Sequence, residues 1–199
     1  MTASSTLSHV MLCAGSLRDW ANSSVADWQQ RIAVVAQAVK TGGAAWVTII
    51  PATTSPDTAS PDTVSPSSAD HVRSLLVDSC GGVHYAERVV VLAAGVTVIV
   101  DLNSDGKQRL VDAATRVAQV TKITEDRLAA ALSAPAPAEP DLVIILGPPD
   151  TMPQSLVWEL AYAEIVFFDT PWRDLDAEHL EMAINDYTRR DRRFGGVDS

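Results

Sequence analysis

The chain has few of the residues that mark secreted, metal-binding or membrane-spanning proteins. Its 199 residues include two cysteines, Cys13 and Cys80, which form neither a disulfide framework nor a metal-type spacing. The longest apolar run, 89–100, is shorter than the roughly 20 residues that a membrane-spanning helix needs. The first residues, MTASSTL, lack the charged start of a signal peptide. We therefore expect a cytoplasmic protein that does not itself span a membrane.

Basic residues are also scarce. Fifteen Lys and Arg face 25 Asp and Glu, which gives a net charge of −10. A nucleic-acid-binding protein needs a basic surface to neutralise phosphates, so this balance argues against nucleic acid as a partner. Apolar residues, by contrast, make up 47% of the chain, and its length suits one domain over 1–199 with a sizeable core.

Apolar residues follow strand and helix periods in turn. HVMLCA at 9–14 indicates a buried strand, 24–40 has one apolar stripe at helical spacing, and AWVTII at 45–50 is typical of the next strand. A strand, helix, strand order predicts parallel pairing. The alternation continues with strands predicted at 88–100, 141–146 and 165–168 and helices at 107–120, at 153–164 and after Asp176. The sequence therefore predicts an α/β fold with a mostly parallel central sheet flanked by helices, which binds ligands beyond the carboxyl ends of its strands.

Residues 51–69 interrupt this alternation. PATTSPDTASPDTVSPSSA has almost no large apolar side chain and repeats a Ser-Pro-Asp-Thr pattern. Such a segment buries too little apolar surface to offset the entropy of ordering it. We predict a flexible surface loop here, followed by a short helix over 70–80.

The most specific motif is at the C-terminal end. Residues 158–196 read WELAYAEIVFFDTPWRDLDAEHLEMAINDYTRRDRRFGG. This resembles the C-terminal signature of the cis-prenyltransferase (undecaprenyl diphosphate synthase) family, which has Trp-Gln-x-Ala-Tyr-x-Glu, then Trp-Pro-Asp-Phe, then Arg-Arg-Phe-Gly. The resemblance implies the fold of that family, with its tunnel helices reduced because the Pro/Ser/Thr loop takes much of their place.

The family's diphosphate-binding residues are missing at the N-terminal end. HVMLCAGSLRDWA at 9–21 resembles the family's His-Val-Ala-x-Ile-Met-Asp-Gly-Asn-Gly-Arg-Trp-Ala. The Asp that positions Mg²⁺ and the allylic diphosphate in that family aligns with Gly15. The Arg before Trp aligns with Asp19, which reverses the charge. The resemblance therefore implies that this chain has no catalytic residue in its own site.

A second set of diphosphate ligands is missing after the strand at 141–146. DLVIILGPPDTMP resembles the family's Asp-Leu-x-Ile-Arg-Thr-Gly-Gly-Glu-x-Arg-x-Ser, but the two Arg align with Ile145 and Thr151 and the Ser with Pro153. Charge-assisted hydrogen bonds contribute roughly 1.5–3 kcal/mol each, so their loss should lower the affinity for isopentenyl diphosphate by several orders of magnitude.

Three residues that act on metal or substrate in the family are retained. Glu164 aligns with the Mg²⁺-associated Glu of the Ala-Tyr-x-Glu run, and it fits a metal ligand and an interface carboxylate equally well. Arg193 and Gly195 align with the Arg-x-Gly motif, which in the family crosses the dimer interface and helps to bind isopentenyl diphosphate in the neighbouring subunit. Arginine supplies a cation there, and the glycine N–H approaches phosphate without hindrance.

The resemblance implies a non-catalytic accessory subunit of the Nogo-B receptor type. We expect it to pair with a catalytic cis-prenyltransferase homologue, as a heterodimer or heterotetramer, and to donate Arg193 and Gly195 to the isopentenyl diphosphate site of that partner. The complex would use Mg²⁺, bound mainly by the partner, and would contact the membrane only peripherally, through its polyprenyl product. Two alternatives remain open: a self-sufficient homodimeric prenyltransferase, and a prenyl-lipid binding or regulatory protein.

Overall fold

A seven-stranded sheet forms the centre of the molecule, with strand order β3-β4-β5-β2-β1-β6-β7. The computed structural model describes residues 7–52, 66–120 and 122–189. Parallel pairing joins β5, β2, β1, β6 and β7, whereas β3, β4 and β5 form antiparallel pairs. This confirms the predicted mostly parallel α/β sheet. The strands are β1 His9–Ala14, β2 Trp46–Ile50, β3 Val83–Tyr85, β4 Arg88–Ala93, β5 Val96–Asp101, β6 Leu142–Leu146 and β7 Glu164–Phe168.

The described residues form six α-helices, and several of them begin at a residue that the sequence marks. Ser24 and Asp27 form a capping box at the start of the longest helix, and Thr124 caps another. None of the described helices is long and apolar enough to cross a membrane. The helices are α1 Leu17–Ala21, α2 Val25–Thr41, α3 Pro66–Cys80, α4 Gly106–Val120, α5 Glu125–Ser133 and α6 Ala177–Arg189.

The two faces of the sheet are buried to different extents. Alternate strand residues point to opposite faces, so Leu12 and Cys13 belong to different cores. The larger core lies on the face that α1, α2, α3 and α6 cover. The smaller core has six buried residues, namely Met11, Cys13, Ile50, Val143, Ile145 and Leu156.

Some local predictions were wrong. The helix predicted over 153–164 is a 3-10 turn at Glu159–Ala161 between irregular residues. The reason is that the carbonyls of Gln154 and Ser155 accept hydrogen bonds from Gly106 and Arg109 of α4 instead of from their own segment.

The region after β2 also differs from the prediction. Helix α3 begins at Pro66, four residues before the predicted start at Asp70, because proline suits the first turn of a helix. The rest of the predicted loop, at 53–65, lies outside the described residues. Neither strand β3 nor the short helix at Leu17–Ala21 was predicted.

Candidate functional site

The loop after β1 lies at the carboxyl edge of the sheet, where ligands bind in folds of this kind. Gly15 has φ +64°, a backbone conformation that favours glycine. Its carbonyl accepts a hydrogen bond from the Ala52 N–H at 2.7 Å, so the loops after β1 and β2 are tied together. Gly15 therefore lies where a ligand is predicted to bind, but it has no side chain with which to contact one.

Trp172 fills the space next to Gly15. A Cβ added to Gly15 would lie 2.8 Å from the Trp172 Cβ and 3.2 Å from the Trp20 Nε1. Trp172 is 4% exposed and packs with Trp20 and Trp28, whose ring centroids lie 6.0 and 5.7 Å from its own. An aspartate at position 15 therefore cannot be accommodated unless Trp172 moves.

Arg31 contacts this tryptophan cluster. Its guanidinium carbon lies 4.9 Å from the centroid of the Trp172 ring, a cation–π contact. The same guanidinium donates to the Ser23 hydroxyl at 3.4 Å and to the Arg173 carbonyl at 3.5 Å. These contacts hold the cation over the ring that covers Gly15.

The positions of the family's other diphosphate ligands hold no cation either. Ile145 lies inside β6 between Cys13 and Phe167 and is 1% exposed. Thr151 is half-buried and donates its hydroxyl to Asp150, whereas Pro153 is buried. The side chain that replaces the first arginine is thus part of the smaller core.

Cys13 closes the same core at the carboxyl end of β1. Its Sγ lies 3.4 Å from the Ser155 Oγ, and the Ser155 hydroxyl donates to the Pro51 carbonyl at 2.7 Å. Burial raises the pKa of the Cys13 thiol to about 12, so the thiol stays protonated at neutral pH. A buried, protonated thiol of this kind is a weak nucleophile.

A buried ionic network lies beside this edge, and sequence reasoning missed it. The Asp101 carboxylate lies 2.9 Å from the Arg88 Nε and 3.3 Å from the Arg109 Nε. The Arg109 Nη2 also lies 2.9 Å from a Glu159 oxygen, and its Nη1 donates to the Ser155 carbonyl. The network therefore joins β4, β5 and α4 to the segment before β7.

Burial and charge act in opposite directions within this network. Burial alone would raise the pKa of Asp101, but the charges of Arg109 and Arg88 outweigh it and lower that pKa. Burial would likewise lower the pKa of Arg109, but Asp101 and Glu159 outweigh it and raise that pKa. The network borders a cavity of about 290 Å³ between the β3–β4 turn, α4 and α5. Asp101 and Arg109 are thus held in their charged forms.

Glu164 lies at the amino ends of the parallel strands, whereas Gly15 lies beyond their carboxyl ends. Glu164 pairs with Leu142 at the start of β6, whereas Ala14, next to Gly15, pairs with Leu146 at its end. Four strand residues separate these levels by roughly 13 Å. Among the residues that the structure describes, no three His, Cys, Asp or Glu side chains form a potential metal site. Arg193 and Gly195 lie outside the described residues, so their predicted role stays a prediction.

The aromatic residues of the C-terminal signature are anchored by carboxylates. The Tyr162 hydroxyl donates to Glu125 at 2.7 Å, and the Trp158 Nε1 donates to Glu139. The two rings pack at a tilt of 40° with their centroids 5.6 Å apart. The signature segment is thereby fixed against α5 and the connector that follows it.

Comparison with known proteins identifies relatives of this chain. Residues 75–195 match the prenyltransferase family model described as "Putative undecaprenyl diphosphate synthase". An "Isoprenyl transferase" of Neisseria meningitidis serogroup A is 34% identical over 116 residues, which cover 57% of this chain and 47% of the relative. An "Isoprenyl transferase" of Prochlorococcus marinus is 39% identical over 112 residues, covering 52% and 42%. The chain thus spans about half the length of the curated relatives it matches.

Solved structures share the fold across the whole chain. A probable undecaprenyl diphosphate synthase from Campylobacter jejuni has a TM-score of 0.56 at 14% identity, covering 95% of this chain and 98% of that one. Lavandulyl diphosphate synthase from Lavandula x intermedia, in complex with dimethylallyl diphosphate, has a TM-score of 0.61 at 17% identity, covering 96% and 98%. Together with the family match over 75–195, the sequence and the fold place this chain in the undecaprenyl diphosphate synthase family of prenyltransferases.

Proposed function

We propose that this chain is a non-catalytic accessory subunit of a heteromeric cis-prenyltransferase. Its partner would be a homologous catalytic subunit that keeps the diphosphate-binding residues. The complex would elongate an allylic diphosphate with isopentenyl diphosphate to a cis-polyprenyl diphosphate. This chain would stabilise the partner and complete one of its substrate sites.

The packing of Trp172 against Gly15 carries this proposal. A diphosphate site needs fixed charges, open space and backbone donors at the loop after β1. Here the added Cβ of any side chain at position 15 would lie 2.8 Å from the Trp172 Cβ. The apolar packing of three tryptophans occupies the place next to the loop, which supports a subunit that does not bind diphosphate at this loop.

Among the residues that the structure describes, no cluster of side chains fits a Mg²⁺ site. Mg²⁺ prefers carboxylate and water oxygens, and Gly15 supplies no side chain at the position where the family has its aspartate. Glu164 is the first residue of β7 and lies at the amino ends of the parallel strands, away from Gly15. A metal in the complex would therefore be held by the partner, with Glu164 as a contributor only if it faces the subunit contact.

Arg193 and Gly195 are the residues through which this chain would act on substrate. An arginine fork donates two parallel hydrogen bonds to a phosphate, and a glycine N–H leaves room for the phosphate oxygen. Both residues follow α6, which ends at Arg189. A donated motif at this position explains why Arg-x-Gly is kept in a chain that has lost the other diphosphate ligands.

Co-expression with a full-motif homologue from the same genome tests this role. We expect Arg193→Ala to lower the turnover of the purified complex by about 10–100-fold, because one charge-assisted contact of roughly 1.5–3 kcal/mol is lost. Arg189→Ala, in the last turn of α6, is the matched control and should leave turnover within about twofold. Unchanged turnover for Arg193→Ala would overturn the donated-motif role.

A self-sufficient enzyme is the second candidate, and the names of the relatives favour it. Those of Neisseria meningitidis and Prochlorococcus marinus are named isoprenyl transferases. This candidate predicts that the purified chain alone consumes isopentenyl diphosphate with Mg²⁺. The accessory-subunit proposal predicts no turnover from the chain alone and turnover from the complex.

A further inference from the structure

An exposed apolar surface lies on the antiparallel strands β3 and β4. Three large side chains are exposed there, namely Val83 62%, Tyr85 43% and Leu92 75%, and Val90 beside them is half-buried. Val83 pairs with Val90, and residues two apart on a strand point to the same face, so all four side chains share one face of the sheet. We call these four residues the hairpin surface.

Helix α5 covers one end of this face and leaves the other end open. At the covered end, Arg88 is buried and donates to the carbonyls of Leu132 and Ala134 at the end of α5. Four residues further along β4, Leu92 is exposed. The opposite face of β4 belongs to the larger core. The hairpin surface is therefore the uncovered part of strands that are otherwise packed.

Strand β3 is also the last strand on its side of the sheet. Within 7–52, 66–120 and 122–189, only β4 pairs with it, so the outer edge of β3 has no strand partner there. Edge strands usually carry lysine, proline or a bulge, which discourage pairing with another chain. The three residues of β3, VHY, include neither lysine nor proline, and all three are exposed. This edge is therefore suited to accept a further strand.

The hairpin surface lies in a segment with almost no charge. Of the Asp, Glu, Lys and Arg residues, 81–100 contain only Glu87 and Arg88. Arg88 is buried in its ion pair with Asp101, and Glu87 lies 3.7 Å from the Arg73 guanidinium of α3. Two copies of a chain with a net charge of −10 repel each other, and a contact through an uncharged surface adds least to this repulsion. The surface therefore suits a second copy of this chain, since it presents no charge that would select an acidic or basic partner.

We propose that two copies of this chain associate through the hairpin surface, with their β3 strands paired antiparallel about a two-fold axis at His84. In this register Val83 lies opposite Tyr85 of the second copy, and Tyr85 lies opposite its Val83. A β-branched residue beside an aromatic residue is a favourable cross-strand pair, so the sequence of β3 is complementary to itself. The sheets of the two copies become continuous.

This contact goes beyond the proposed function and does not depend on it. Strands β3 and β7 lie at opposite edges of the sheet, so the pairing leaves the side of the molecule with β7 available to a catalytic subunit. The chain alone is then a dimer, and its complex with a catalytic homologue contains two copies of this chain.

Cysteine cross-linking tests the register in the full-length chain. His84→Cys puts a thiol at the two-fold axis, where opposed Cα atoms lie roughly 4.5–5.5 Å apart, within the range of a disulfide. Glu87→Cys is the matched control, because Glu87 is also exposed but lies in the turn beyond β3, outside disulfide reach of its own copy. Both variants are made with Cys80→Ser, which leaves Cys13 as a buried thiol. We expect oxidation to give a covalent dimer of the first variant and not of the second.

Sedimentation measures the association itself. We expect the wild-type chain alone to be dimeric at about 200 μM. Val83→Lys/Leu92→Lys should weaken the dimer by about tenfold or more, because like charges would then meet across the two-fold axis. The control Val111→Lys/Val120→Lys adds the same charge at exposed positions of α4 and should leave the affinity within about twofold.

Three results would overturn the inference. One is a wild-type monomer at about 200 μM. Another is equal cross-linking of His84→Cys and Glu87→Cys. The third is a dimer that Leu160→Lys dissociates and Val83→Lys/Leu92→Lys does not, which would place the contact at the segment before β7. Each of these results is independent of the turnover of the Arg193→Ala complex, so the accessory role would still stand.

Discussion

At Gly15, backbone conformation and packing together exclude other residues. The φ of +64° is costly for a residue with a Cβ, and the neighbouring Trp172 Cβ leaves no room for one. A family member that regained an aspartate at this position would still lack a site unless the tryptophan cluster rearranged. The glycine and the tryptophan cluster therefore depend on each other at this position.

Substitution of Gly15 should destabilise the fold more than substitution of a comparable glycine. We expect Gly15→Ala to lower the free energy of unfolding by about 2–4 kcal/mol, from positive φ and from overpacking against Trp172. Gly81 has a nearly equal φ of +68° but no heavy atom within 4 Å of an added Cβ, so Gly81→Ala should cost about 1 kcal/mol. Urea unfolding of both variants measures the difference. Equal losses would mean that Trp172 yields without cost.

At the scale of elements, the helices and strands that could be predicted are those whose signals are local in sequence. The bounds of β1 follow from a short apolar run, and the start of α2 follows from a serine cap. Both signals are local in sequence. The helix prediction for 153–164 was wrong because the Ser155 carbonyl in this segment accepts a hydrogen bond from α4, 46 residues away in sequence. Gly15 could be placed at the site edge, but no sequence rule links it to Trp172.

The buried charges had a weak sequence signal. Asp101 ends an apolar strand, and Arg109 lies four residues before buried Ala113 on one helical stripe. A charge on a buried stripe needs a partner of opposite sign. The partner Glu159 lies in a distant segment, so the sequence indicates that a pair exists but does not identify it.

Removal of Arg109 should test how strongly the buried ionic network ties α4 to the segment before β7. We expect Arg109→Met to lower the free energy of unfolding by about 3–5 kcal/mol, because Glu159 is left buried without its cation. The double variant Arg109→Met/Glu159→Met should recover about 2 kcal/mol of that loss. Arg73→Met, which removes an exposed ion pair with Asp70, should cost under about 1 kcal/mol. Additive losses in the double-mutant cycle would show that the two side chains do not couple.

At the scale of the molecule, the N-terminal strand is bound to two distant parts of the chain. The His9 Nδ1 lies 2.8 Å from the Ala138 carbonyl, which can only accept, so Nδ1 carries the proton and Nε2 accepts from the Thr48 hydroxyl at 2.9 Å. Asp141 accepts hydrogen bonds from the Ser8 and His9 backbone N–H groups. These bonds tie β1 to β2 and to the connector before β6. The strands β2, β1 and β6 are neighbours at the centre of the sheet.

Stability should therefore fall in mild acid. Burial lowers the pKa of His9, so the folded chain keeps this imidazole neutral while the unfolded chain takes up a proton near pH 6.5. Because the unfolded state binds more protons, the contribution of His9 is constant above that pH and declines as pH falls below it, by at most about 2 kcal/mol at pH 5. The variant His9→Gln cannot titrate, so the gap in unfolding free energy between wild type and variant should narrow from pH 7 to pH 5. Urea unfolding at a series of pH values measures both curves, and effects of the other three histidines cancel in their difference. Parallel curves would show that His9 is protonated equally in both states, which its burial at 1% exposure between two hydrogen-bond partners argues against.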